Sequence, residues 1–94
     1  MLIDAHCHLD FEAFDADRRA MFERAHDAGV GHFVVPGTTR QRGPAVVEIA
    51  RRADVSLSLG LHPYFMHEHD EDDLEALEKI LDETPEVVAL GECG

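Results

Sequence analysis

The chain has 94 residues, 45% of them apolar, with 20 acidic against 8 basic side chains and a formal net charge of −12. That apolar share argues against disorder, the length makes one small domain or a piece of a larger one, and no run of about 18 apolar residues exists to span a membrane. The acidity argues against nucleic-acid binding through a basic surface, but not against phosphate met through bound cations, which reverse the local sign of the field.

Met1 to His6 lacks the basic region and apolar run of a signal peptide, so a cytoplasmic location is expected. Cys7 and Cys93 are too few for a disulfide framework and are expected as free thiols. Leu2 to Ala5 reads as a short strand. Asp15 is placed to cap a helix that runs to about Ala28, with Phe14, Met21, Phe22, Ala25 and Ala28 on one side. Gly29 sits where a left-handed residue ends a helix. His32 to Val35 reads as a second strand, closed by Pro36-Gly37. Thr38 or Thr39 is a candidate cap for a second helix, whose apolar stripe is Val46, Ile49, Ala50 and Ala53. Gly43-Pro44 means that this helix starts late or breaks there.

Val55 to Gly60 reads as a third strand, followed by Leu61-His62-Pro63-Tyr64-Phe65. Asp70 to Asp73 crowd the start of a third helix, where negative charge suits the helix dipole. Leu74, Leu77 and Leu81 mark its expected buried side, and the acidic run from Glu68 to Glu83 reads as its solvated face. Pro85 ends it, and Val87 to Leu90 is a fourth strand. This alternation is that of parallel βαβ units. A doubly wound sheet would want a glycine-rich turn after the first strand. His6-Cys7-His8-Leu9-Asp10 has none, which favours a β/α barrel of which four strands and three helices are present.

His6 and His8 are the most informative pair. Alternate residues of an extended chain face one side, so two imidazoles at that spacing can reach one metal ion. In β/α barrels the reacting groups gather at the C-terminal ends of strands. His6 and His8 follow the first strand, His62 the third and Glu92 the fourth. A carboxylate such as Glu92 can bridge two cations, and the preceding Gly91 would allow close backbone approach there.

Three segments together are more specific than any one. Asp4-Ala5-His6-Cys7-His8-Leu9-Asp10, Gly60-Leu61-His62-Pro63-Tyr64 and Ala89-Leu90-Gly91-Glu92-Cys93-Gly94 resemble the first three signatures of the TatD family of metal-dependent deoxyribonucleases, in order and at about the family's spacing. The resemblance covers the whole chain. It implies a barrel of the metal-dependent hydrolase kind with two divalent ions (Mg, Mn or Zn) at its rim, acting on DNA phosphodiester bonds. His6 and His8 would bind one ion, Glu92 would bridge the pair as a catalytic group, and His62 would contact substrate phosphate. The family draws further ligands, two histidines and an aspartate, from later strands that this chain does not contain. The expectation is therefore a truncated N-terminal part of one barrel domain, weakly active or inactive alone, that self-associates through open edges. The alternatives are a hydrolase of C–N or lactone bonds, or a non-catalytic remnant that oligomerises.

Other residues carry weaker signals. Cys7 should point away from its flanking histidines, and Cys93 is a marginal soft ligand. His67-x-His69 repeats the ligand spacing inside a solvated loop. His26 and His32 read as structural. Asp4 is placed to orient an imidazole, and Arg40 to meet either phosphate or solvent.

Overall fold

Four strands alternate with three helices in a computed structural model that describes residues 1–92. They are β1 (Leu2–Asp4), α1 (Arg18–Asp27), β2 (Val30–Pro36), α2 (Gly43–Ile49), β3 (Val55–Leu59), α3 (Glu71–Glu83) and β4 (Val87–Leu90). A short 3₁₀ segment lies between each strand and the next helix, at Glu12–Phe14, Arg40–Arg42 and Pro63–Glu68. No helix is long and apolar enough to cross a membrane among the described residues.

The strands pair in parallel in the order β1-β2-β3-β4. Parallel crossovers are right-handed almost without exception, so an order that never reverses puts all three helices on one face of the sheet. A doubly wound sheet reverses its order and carries helices on both faces. The sequential order is that of barrel staves, with the helix-free face as the barrel interior.

The helix-side core is built from alternate residues of the inner strands. Phe33 and Val35 of β2 and Val55, Leu57 and Leu59 of β3 are buried against Phe22 of α1, Val46 and Ile49 of α2, and Ala50 at the C-cap of α2. Val35, Val46 and Leu57 are fully buried. Each such side chain contributes about 1.5–3 kcal/mol by leaving water. Phe22 and Phe33 meet edge to face at 5.0 Å, and the Arg52 guanidinium lies 3.9 Å from the Phe22 ring. The outer strands are less covered: Leu2, Ile3, Val88 and Leu90 are each more than half exposed.

Local signals explain most boundaries. Gly29 has φ +99°, the left-handed conformation that ends α1. Pro44 falls in the first turn of α2, so that helix starts late and does not break. Thr39, not Thr38, supplies a cap, its hydroxyl accepting from the Arg42 amide, but it caps the 3₁₀ segment Arg40–Arg42 and not α2, which has no side-chain cap. Asp70 caps α3, and Asp73 returns the bond to the Asp70 amide.

Three expectations are corrected. Asp15 does not cap α1; the helix begins at Arg18, and the Asp15 carboxylate accepts from Arg18 at 2.7 Å instead. Ala28 and Ala53 are exposed: Ala28 is the C-cap of α1, and Ala53 lies in the turn after α2, which stops at Ile49. Leu74 is 62% exposed, while Asp73 beside it is buried by its capping role and its contact with Arg40. The packed side of α3 is Leu77, Ile80 and Leu81.

Candidate metal centre

The loop after β1 is turned by Cys7. Its amide and its thiol both donate to the Val34 carbonyl, which draws Cys7 to the core side. Burial and the nearby Asp4 carboxylate push the Cys7 thiol up to about 12, so it stays a neutral thiol. His6 and His8, on either side, project the other way.

Two arginines hold the next residues. Arg18 donates to the carbonyls of Leu9, Asp10 and Phe11, and Arg42 donates to the Asp10 carbonyl. The Asp10 side chain is fully buried, with Arg42 Nε 3.5 Å from Oδ2. Burial raises the Asp10 carboxyl above the ordinary carboxylate range, and its backbone bond and Arg42 only partly offset that.

His62 is fixed by four backbone-linked bonds. Its amide donates to Thr38 at 2.8 Å, and its carbonyl accepts from the Phe65 amide and from His69 Nε2. Its ring Nδ1 accepts from the Tyr64 amide at 3.0 Å. Neutral His62 therefore carries its proton on Nε2.

Glu92 is delivered by β4. The Gly91 amide donates to the Leu59 carbonyl at 3.0 Å, which seats the end of β4 on the end of β3. The tight glycine is Gly60 rather than Gly91. A Cβ on Gly60 would come within 2.8 Å of the Gly91 carbonyl carbon, whereas one on Gly91 would meet nothing within 4 Å. Only glycine at position 60 lets the two strand ends approach this closely.

These elements bring all four predicted residues together. His6 Nε2 lies 3.3 Å, His8 Nε2 3.4 Å and His62 Nε2 3.3 Å from one carboxylate oxygen, Glu92 Oε2. That oxygen is buried and has no hydrogen-bond partner among the described residues. One donor atom from each of His6, His8 and Glu92 lies within 4.8 Å of the others. A buried, unpaired carboxylate oxygen among imidazole nitrogens is costly unless a cation or proton faces it. The nitrogen and oxygen donor set fits a divalent transition ion. Aromatic rings back two of the imidazoles: Phe11 stacks on His8 at 4.8 Å, and Phe65 meets His62 edge-on at 5.7 Å.

The weaker candidates lie elsewhere. His69 is turned inward to the His62 carbonyl, while His67 is exposed near Glu68, so the pair shares no ligand point. Asp4 accepts from the His6 amide and does not orient a ring. Arg40 pairs with Asp73 at 3.4 Å. His26 meets Asp54 at 2.6 Å and His32 meets Ser56 at 2.8 Å, as structural histidines do. Cys93 lies outside the described residues. The anchoring roles of Gly60, Asp10 and His69 went unread, although Gly60 stands directly before Leu61-His62.

Residues 3–94 match the family model described as TatD related DNase. The chain is 40% identical over 94 residues to the uncharacterized metal-dependent hydrolase YjjV of Escherichia coli (strain K12), covering 98% of this chain and 36% of the relative. It is 33% identical to the 3'-5' ssDNA/RNA exonuclease TatD of Cronobacter turicensis, covering 99% of this chain and 35% of that protein. The crystal structure of YjjV, a TatD homolog from E. coli, superposes with a TM-score of 0.92 at 39% identity, over 97% of this chain and 36% of that one. The chain thus spans about a third of the length of the relatives it matches.

Proposed function

The chain belongs to the TatD related DNase family, and from that premise we propose that it carries the β1–β4 portion of a two-metal centre that hydrolyses phosphodiester bonds in single-stranded DNA. The observation that supports this most is the convergence of three imidazole Nε2 atoms on Glu92 Oε2 at 3.3–3.4 Å. In this reading His6 and His8 would hold one divalent ion, and Glu92 would serve as a ligand to both. Imidazole ligands favour Mn²⁺ or Zn²⁺ over Mg²⁺, which prefers oxygen. The ions, when bound, supply Lewis-acid stabilisation of phosphate charge and a more acidic water.

The chain's own residues do the rest. His62, protonated on Nε2 by its Nδ1 bond to Tyr64, is a donor rather than a ligand, and it holds a non-bridging phosphate oxygen. The Phe11 ring behind His8 and the Phe65 ring beside His62 limit the rotation of both imidazoles. His6, His8 and Glu92 are three protein ligands, fewer than two ions require, so turnover by the 94-residue chain alone is weak.

The test joins binding to cleavage. Mn²⁺ binding is followed by electron paramagnetic resonance, and shortening of labelled single-stranded DNA by gel. His6→Ala and Glu92→Ala should each abolish tight Mn²⁺ binding and any cleavage, while Asp72→Asn on the exposed face of α3 should change neither. Tight Mn²⁺ binding that survives both ligand substitutions would overturn the assignment. Hydrolysis of amides or lactones with DNA left intact would move the activity to another hydrolase class.

A further inference from the structure

We propose, resting on the nuclease reading above, that the cavity beside the metal centre is a nucleobase pocket for the nucleotide whose phosphate meets His62. The cavity has a volume of about 430 Å³, and its walls come from the loops after β1, β2 and β3. Phe11 and Phe65 are among those walls. The same two rings pack on His8 and His62, at 4.8 Å and 5.7 Å. The pocket and the centre are therefore two sides of one aromatic partition.

The lining chemistry selects the occupant. The aromatic rings suit a planar heterocycle, since every base has a stacking face. Gln41, which is exposed, offers an amide group for its edge. Glu12 and Glu68 stand at the same wall, and the Arg42 guanidinium that also lines it is committed to the Asp10 carbonyl and carboxylate. Two carboxylates repel a phosphate but accept from the exocyclic amine of a base. The anionic end of a nucleotide is thus directed to the imidazoles and the neutral, amine-bearing end to the cavity. One sugar joins those ends, so both can be seated at once.

Ligand-observed NMR on the 94-residue chain tests this with two probes. Deoxycytidine has a base and no phosphate; deoxyribose phosphate has a phosphate and no base. Saturation transfer from protein to the base protons of deoxycytidine is expected. Phe65→Leu should weaken nucleoside binding by about tenfold, the scale of one lost stacking partner. Gln41→Ala, at an exposed position that places no demand on folding, should weaken it too. Absence of transfer, or transfer unchanged in both variants, would overturn the pocket. Broadening of the deoxyribose phosphate phosphorus signal, lost in His62→Ala, is a separate readout of the nuclease reading. A positive phosphate arm with a negative nucleoside arm sinks the pocket alone.

Discussion

The Tyr64 amide donates to Nδ1 of His62 at 3.0 Å, and that one bond decides which ring nitrogen of His62 carries the proton. An acceptor Nδ1 leaves Nε2 as N–H, 3.3 Å from Glu92 Oε2. Three histidines surround one carboxylate oxygen, yet this backbone bond marks His62 as the donor among them.

His62→Ala should therefore separate catalysis from metal binding. Removing one preorganised donor costs about 10²–10³-fold in rate, so DNA hydrolysis should fall by that order while Mn²⁺ affinity stays within about twofold. Nitrogen NMR of the His62 ring in the parent protein should show the Nε2-protonated tautomer. A Mn²⁺ affinity that falls with His62→Ala as far as with His6→Ala would make His62 a ligand instead.

Gly60→Ala should damage the centre from a distance. The new Cβ would lie 2.8 Å from the Gly91 carbonyl carbon, against backbone that has no flexible end to move aside. Overpacking of this kind costs about 1–3 kcal/mol. The displaced segment carries Glu92, so Mn²⁺ binding should weaken by more than the change in denaturation midpoint alone accounts for. Unaltered Mn²⁺ affinity in a folded Gly60→Ala protein would show that the β3–β4 contact does not set the position of Glu92.

Asp54 gives a pH-dependent contribution of known sign. The Arg52 guanidinium donates to both of its oxygens and His26 adds a third contact, and together they hold its carboxyl down from 3.8 to about 2 despite some burial. A depressed carboxylate stabilises the fold above its unfolded pKa, and that stability is lost as pH falls from 3.8 through about 2. Allowing for screening at a partly wetted pair, Asp54→Asn should cost on the order of 1 kcal/mol near neutral pH. The gap between the two proteins should close on acidification across that window. Urea denaturation at several pH values checks it, and a gap that is constant down to the folded pKa would refute the ion-pair origin.

The edge strands predict self-association. β1 and β4 have unpaired outer edges among the described residues, and Leu2, Ile3, Val88 and Leu90 are exposed on them. Open, apolar edges template further pairing. The 94-residue chain should elute as a concentration-dependent oligomer in size exclusion with light scattering, and Val88→Lys should shift it toward the monomer. A cooperatively folding monomer at high concentration would refute this.

Much of this architecture was legible in the residues, because the signals were local or periodic. Gly29, Pro44 and Asp70 each act within one turn of their own position, and β4 has the bounds its apolar run suggests. His6, His8, His62 and Glu92 were found because strand ends in a parallel array share a rim. The misses required contacts between distant segments. Leu74 has the spacing of a buried residue, but Asp73 takes the buried position through its bond to the Asp70 amide and its contact with Arg40. The need for glycine at 60 depends on where Gly91 comes to rest, thirty-one positions later by residue number. Asp10 looks like a surface acid until Arg18 and Arg42 arrive from two other elements.

Those two arginines also bear on the thermodynamics of loading. Guanidinium groups from α1 and from the segment before α2 clamp the backbone at Leu9, Asp10 and Phe11, directly beyond the His6–His8 pair. The ordering entropy of that segment, about 1–2 kcal/mol per residue for backbone alone, is met during folding. Cation capture then proceeds on rings already aimed, and binding heat should report ligand exchange rather than loop rearrangement.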